Sequence, residues 1–213
     1  MAFAGFPPQA LGFLRELEAT NEREWFRARR GDYDAWLAEP AAALGTQLER
    51  FGRPKRFRPY NDTRFHPGPP VKEHVGLVLG HEGGIAGGYV ELSLDGLLVA
   101  AGMYDPRADQ VERLRRAVDD GRTAAGLTRA LRRAQEAGLA LNAPDLKRGP
   151  RGYPADHPRA DLLRRRRLTV SLRLGLEPWL HQPAAGDRIG ELLDAAGPLV
   201  TWLRAHVGPP QAA

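Results

Sequence analysis

Gly88-Tyr89-Val90-Glu91-Leu92-Ser93-Leu94-Asp95-Gly96-Leu97-Leu98-Val99-Ala100-Ala101-Gly102-Met103-Tyr104 decides the fold. Polar and apolar residues alternate from Tyr89 to Leu94, and a second strand-like run returns from Leu97 to Tyr104. Alternation puts successive side chains on opposite faces of a sheet, and Asp95-Gly96 between the runs is a strong two-residue hairpin signal. The reading is an antiparallel hairpin with strands over 88–94 and 97–104. Upstream, Val75, Leu77 and Leu79 alternate with His74, Gly76 and Val78, which adds a strand over 74–80 and makes a meander. The glycine-rich 80–88 turn between them is not a phosphate loop. It lacks the Gly-Lys-Ser/Thr ending and leads into a strand rather than a helix. Downstream, Leu168, Val170 and Leu172, with Thr169 and Ser171 on the other face, read as a fourth strand.

Helical spacing surrounds these strands. Pro7-Pro8 opens a pattern with Leu11, Leu14 and Leu17. Asn21 followed by Glu24 has the form of a capping box that starts a helix through Trp25 and Phe26. Pro40 starts another, with Leu44, Leu48 and Phe51 on one stripe and Gly52 as its stop. Further helices are expected after Asp105-Pro106, from Thr123 to Ala137, after Pro158 through Arg166, and from Asp187 to His206 with an interruption at Gly197-Pro198. Residues 54–72 and 142–158 read as irregular, the first carrying Pro54, Pro59, Pro67, Pro69 and Pro70. The fold class expected is α+β, an antiparallel sheet packed with helices, in a single domain over 1–207 with a disordered tail at 208–213.

The chain has 213 residues, 42% hydrophobic and 27% charged, an ordinary balance for a folded protein. It has no cysteine, which excludes disulfides, zinc ribbons and thiol nucleophiles. Ser93 and Ser171 are its only serines; both fall in strands and neither sits in a Gly-x-Ser-x-Gly elbow, so serine hydrolase chemistry is not expected. No apolar run is long enough for a bilayer helix, and residues 1–8 lack the charged and apolar regions of a secretory signal. The expectation is a cytoplasmic protein without a membrane partner.

The net charge of +5 hides an uneven distribution. Residues 50–72 carry seven positive side chains against Asp62, and residues 147–173 carry nine against Asp156 and Asp161. These segments hold +6 and +7, leaving −8 for the rest of the chain. Where such segments converge, anions concentrate. Arginine outnumbers lysine 28 to 3, so its placement says more than its abundance.

Phe57-Arg58-Pro59-Tyr60-Asn61-Asp62-Thr63-Arg64-Phe65 resembles the signature of a bacterial family of conserved hypothetical proteins, domain of unknown function 2461. Gly5-Phe6-Pro7, Asn21 with Glu24-Trp25-Phe26, Gly88-Tyr89, Ala101-Gly102-Met103-Tyr104, and Arg151-Gly152-Tyr153 with Asp156-His157-Pro158 match its pattern in order, nearly end to end. The signature is an Arg, then Arg-Asp-x-Arg-Phe, then an acid or amide followed by Lys and an aromatic. This chain keeps Arg58, Asp62, Arg64 and Phe65, and its Lys72 and His74 match a later Lys-x-His. Asn61 stands where the family has Arg, and Gly68-Pro69-Pro70-Val71 where the acid, Lys and Tyr fall. The resemblance implies no particular activity.

The residues themselves point to an anion. Arg58, Arg64 and Lys72 exceed what Asp62 can neutralise, and arginine's fork suits phosphate or carboxylate. Asp62 is read as the tie of a proline-rich loop. With His74, Arg151, Tyr153 and His157 these residues form the candidate ligand-binding set, on the expectation that loops 54–72 and 147–157 meet in space. No cofactor is indicated. A two-His, one-carboxylate metal set from Asp62, His66, His74 and His157 has no supporting spacing. Arg164 to Arg167 point about 100° apart on a helix, so they cannot form one clamp and are expected to be a solvated helix end. Three functions stay open: binding of a small phosphorylated or carboxylated ligand, with or without catalysis; nucleic-acid binding, with Tyr60 or Tyr153 stacking; and recognition of an acidic protein partner. The first is preferred, because kinked Pro/Gly loops build pockets more readily than flat tracks. Oligomeric state is left open.

Overall fold

Alternation becomes sheet and apolar spacing becomes helix in a computed structural model that describes residues 2–63, 68–80 and 86–211. The helices α1 (Pro8–Ala19), α2 (Arg23–Ala28) and α3 (Arg30–Tyr33) come first. A π-helical turn, Asp34–Ala38, then runs into α4 (Glu39–Gln47) and a short 3-10 turn, Glu49–Phe51. Four strands follow: β1 (Pro54–Arg56), β2 (His74–Leu79), β3 (Gly87–Ser93) and β4 (Gly96–Met103). After α5 (Ala108–Asp119) and α6 (Gly121–Glu136) come β5 (Ala140–Leu141), α7 (Ala160–Leu163), β6 (Leu168–Leu174), a 3-10 turn at Pro178–His181 and α8 (Ala184–His206). The strands form one six-stranded antiparallel sheet in the order β1-β2-β3-β4-β6-β5. The fold is α+β, as the alternation predicts.

Four local readings are corrected. The segment from 54 is not wholly irregular: Pro54, Lys55 and Arg56 pair with Leu79, Val78 and Leu77, and Tyr60 bridges Val71. A proline is tolerated there because it opens an edge strand, where its missing N–H costs no ladder bond. The hairpin loop is Leu94-Asp95 and not Asp95-Gly96. Gly96 opens β4 at φ +122°, and a Cβ there would lie 2.1 Å from the Leu174 carbonyl oxygen, so the close approach of β6 demands the glycine. Asn21 does not cap α2; its amide reaches across to Val71 and Glu73. Finally, α8 continues through Pro198, with Leu193, Ala196, Leu199 and Leu203 buried on both sides of it. That packing outweighs the one backbone bond a proline removes.

The chain divides into two compact units. The first comprises residues 1–79, 89–99 and 173–190. Its core joins Phe13, Leu14 and Leu17 of α1 to Phe26, Tyr33, Leu37, Leu44 and Leu48, with Val75, Leu77, Leu79, Val90, Leu92, Leu97 and Val99 from the strands. Aromatic rings meet edge to face, Phe26 with Tyr33 at 5.1 Å and with Tyr60 at 5.5 Å. The Tyr60 contact ties the proline-rich segment onto the helices.

The second unit comprises residues 80–88, 100–172 and 191–213. Val111, Leu114 and Val118 of α5, Leu127 and Leu131 of α6, and Leu163, Leu168 and Val170 fill its core. Asp120 caps α6 by accepting from the Arg122 N–H at 2.7 Å and the Thr123 N–H at 3.3 Å. Where composition predicts a frayed tail, Gln110 Nε2 and Arg113 Nη2 donate to the carbonyls of Gly208 and Pro209, and the Gln211 N–H donates to Asp109. No helix among the described residues is long and apolar enough to cross a membrane.

Candidate functional site

Alternation sorts β2 and β3 into two faces. Val75, Leu77, Leu79, Val90 and Leu92 are buried against the helices of the first unit. His74, Gly76 and Val78 of β2 and Tyr89, Glu91 and Ser93 of β3 point the other way. On this outer face the Tyr89 hydroxyl donates to Glu91 Oε2 at 2.7 Å. His74 Nε2 lies 3.8 Å from the same oxygen. Arg173 of β6 reaches over Gly96, placing Nη2 3.6 Å from Glu91 Oε1 and donating from Nη1 to Ser93 Oγ at 3.3 Å. Glu91 is the hub, its carboxylate only 16% exposed. Burial holds His74 below the ordinary imidazole range, with Glu91 opposing the shift and Lys72 adding to it.

Lys72 is fixed from three sides. The Asn21 side chain exchanges two hydrogen bonds with the Val71 backbone, both at 3.0 Å, and donates to Glu73 Oε1 at 2.7 Å. The Lys72 N–H donates to the Pro59 carbonyl at 2.7 Å. Its ammonium donates to the Tyr60 carbonyl at 2.6 Å. Burial pushes the Lys72 pKa down, and the charge of Arg58 pushes it down further. No carboxylate counters either effect, and among the described residues Lys72 makes no ion pair. Phe57 follows β1 on the outer face, its N–H donating to the Gly76 carbonyl, its ring 6.0 Å from that of Tyr89 and 38% exposed.

Arg58, Lys72 and His74 are thus brought together in the first unit, Arg58 exposed; Asp62, four residues after Arg58, is exposed as well. Arg64 and His66 lie outside the described residues. In the second unit Tyr153 and His157 meet edge to face at 6.4 Å, and Arg151 is exposed on a turn. Both nitrogens of His157 are engaged. Nδ1 accepts from the Arg159 N–H at 3.0 Å, which leaves the proton on Nε2 to donate to Asp119 Oδ1 at 3.0 Å. Arg159 donates to the carbonyls of Val118 and Asp119, both at 2.6 Å. The Arg159 bonds satisfy the last carbonyls of α5 at its negative end, a structural use of that cation.

The four-arginine run is corrected as well. Arg165 is only 5% exposed and donates to the Asn142 and Asp161 carbonyls and to the Asp161 carboxylate. Arg164 pairs with Asp161, and Arg167 with Asp145. The run is not a solvated helix end, because α7 stops at Leu163 and turns the chain into β6. Only Arg166 of the four is exposed without an acid partner among the described residues.

Sequence reasoning missed Glu91, Tyr89, Arg173 and Phe57. The phase of the alternation carried the signal, since Tyr89, Glu91 and Ser93 fall on the face that His74 shares. Two open grooves among the described residues contain no predicted site residue. One, of about 770 Å³, is lined by Arg129, Trp202 and His206 among others on α6 and α8. The other, of about 360 Å³, lies around Phe3, Gln47 and Asp187. Among the described residues no group of three His, Asp or Glu side chains is placed to hold a metal ion.

A family model described as "Conserved hypothetical protein (DUF2461)" matches residues 9–202, and the chain belongs to that family. No curated protein and no solved structure matches it.

Proposed function

We propose that this member of the family binds a small phosphorylated or carboxylated anion at the Arg58–Lys72–His74 end of the outer sheet face. One observation carries the reading: Lys72 is held in place beside Arg58, partly desolvated, and among the described residues only a neutral carbonyl meets its ammonium. Two neighbouring cations that make no ion pair among the described residues repel each other, and an anion that accepts from both reverses that cost. Arg173 and Lys55 add positive charge to the same face, while Glu91 is already engaged with Tyr89, His74 and Arg173. Such a set suits an anionic group that docks by charge and hydrogen bonds.

The test is a series of melting curves with inorganic phosphate, sulfate and acetate, repeated for Lys72→Met, Arg58→Ala and Arg132→Ala. Arg132 is an exposed helical arginine whose ion pair is with Glu136, one turn away. Stabilisation of the parent and of the Arg132 variant, with loss in the other two, supports the reading. Equal losses in all three variants would mean a diffuse basic surface, the behaviour of a nucleic-acid or acidic-partner binder.

A further inference from the structure

We infer that the anion bound at this face is the phosphate of a mononucleoside phosphate whose base stacks on Phe57. The inference rests on the anion reading and adds the ligand's chemical class. Large apolar side chains are almost all buried in this chain; Phe57 and Tyr104 are the exposed ones among the described residues. Tyr104, 69% exposed, belongs to the second unit and has the Arg167 guanidinium 5.6 Å from its centroid, whereas Phe57 stands next to Arg58. Phe57 is 38% exposed, its ring tilted 48° to that of Tyr89 at 6.0 Å.

The support is built from sequence-distant pieces. A Cβ at Gly76 would stand 2.8 Å from Tyr89 Oη and 3.0 Å from Phe57 Cδ2, so the missing side chain is the space in which the two rings sit. The Tyr89 ring is itself anchored by the hydrogen bond to Glu91. Phe57 is therefore a braced aromatic platform on a sheet surface and not a loose loop residue. Such platforms accept any base, because every base has a π-face. Along the same strand, two residues from Gly76, lies His74, which senses the Lys72 charge, and Lys72 in turn senses Arg58. Phe57 is next to Arg58 in the chain and pairs with Gly76, so an aromatic ring lies beside two cations that make no ion pair among the described residues, which matches a base and its phosphate. A ligand of phosphate alone leaves Phe57 unused, and one of base alone leaves Lys72 uncompensated.

The experiment is isothermal titration of the full chain with AMP, ribose 5-phosphate, inorganic phosphate and a tetranucleotide. The parent, Phe57→Ala, Phe57→Leu, Gly76→Ala and Lys72→Met are compared. The expected result is that AMP binds the parent more tightly than ribose 5-phosphate by roughly 5- to 150-fold, the range for one base on one aromatic ring. Phe57→Ala and Phe57→Leu remove that margin and leave ribose 5-phosphate binding unchanged. Gly76→Ala reduces the margin by displacing the rings, and Lys72→Met abolishes binding of both. Equal affinity for AMP and ribose 5-phosphate in the parent, with no effect of Phe57, overturns the nucleotide inference while leaving the anion site standing. No binding by any probe overturns both. A tetranucleotide that binds far more tightly than AMP, with a salt slope spanning several phosphates, overturns a single-nucleotide site in favour of a strand.

Discussion

Replacing Lys72 by Met separates binding from stability. The substitution keeps the length of the side chain and removes its charge. The hydrogen bond from its ammonium to the Tyr60 carbonyl, 2.6 Å long, is lost. A bond of this kind at a partly exposed site contributes about 1 kcal/mol net. Repulsion from Arg58 disappears at the same time, a gain of about 0–1 kcal/mol for solvent-screened charges. The two nearly cancel, so the ligand-free protein should change by less than about 1 kcal/mol, or roughly 2–4 °C in melting temperature for a chain of this size. Binding behaves differently. A ligand at a hundred times its Kd stabilises the parent by about 2.7 kcal/mol, and the variant should lose all of it. The measurement is paired thermal melts with and without saturating phosphate. A variant that keeps the phosphate response sinks the argument that Lys72 faces the anion. A loss of more than about 3 kcal/mol without ligand would instead make Lys72 a structural residue, since that exceeds what one lost bond supplies.

Arg165→Ala should lower stability by about 2–3 kcal/mol in urea melts, because it leaves the Asn142 carbonyl and a buried cavity without the guanidinium; a change below about 0.5 kcal/mol would refute a structural Arg165. Gly102→Ala should destabilise by about 2–4 kcal/mol, since φ is +133° and a Cβ would stand 2.2 Å from the Leu168 oxygen. Gly12→Ala, in α1 with open space at its Cβ, should stabilise by about 0.5–1 kcal/mol in the same assay. Stability should also fall as pH drops below about 6.5, because the unfolded chain then binds a proton that the folded His74, whose pKa burial lowers, still refuses. Denaturant midpoints at pH 7.5 and 5.5 should therefore converge in His74→Leu. Asp109, Asp120, Asp145 and Asp161, all held below the usual carboxylate pKa, act only below about pH 4 and do not blur that window.

The elements most legible in the sequence are those set by local rules. The meander of β2, β3 and β4 follows from alternation around Asp95-Gly96, and α5 and α6 follow from apolar spacing. What is not legible depends on partners distant in sequence. β1 is three residues long and exists because Leu77 and Leu79 offer it an edge. Asn21 and Glu24 have capping-box spacing, yet the Asn21 amide finds Val71, 50 residues away, and that contact outcompetes a cap on a six-residue helix. Gly96 is required by Leu174, 78 positions later, and not by its own turn.

The candidate site has the same history, and charge counting is where it shows. A run of arginines has a local net charge only if its counter-ions are local. Arg167 meets Asp145 and Arg173 meets Glu91, both from outside the 147–173 segment. Its count of +7 therefore overstates the field it presents. In the 50–72 segment Arg56 donates to the Tyr33 hydroxyl and to the Phe57 carbonyl, both neutral, and Lys72 donates to a carbonyl. Cations satisfied by neutral acceptors keep their charge, so Arg56 and Lys72 still present theirs. The anion is accordingly sought beside Lys72 and not along the arginine run. Phe57, between Arg56 and Arg58, is the one side chain there that a purely electrostatic surface would not need to hold in place.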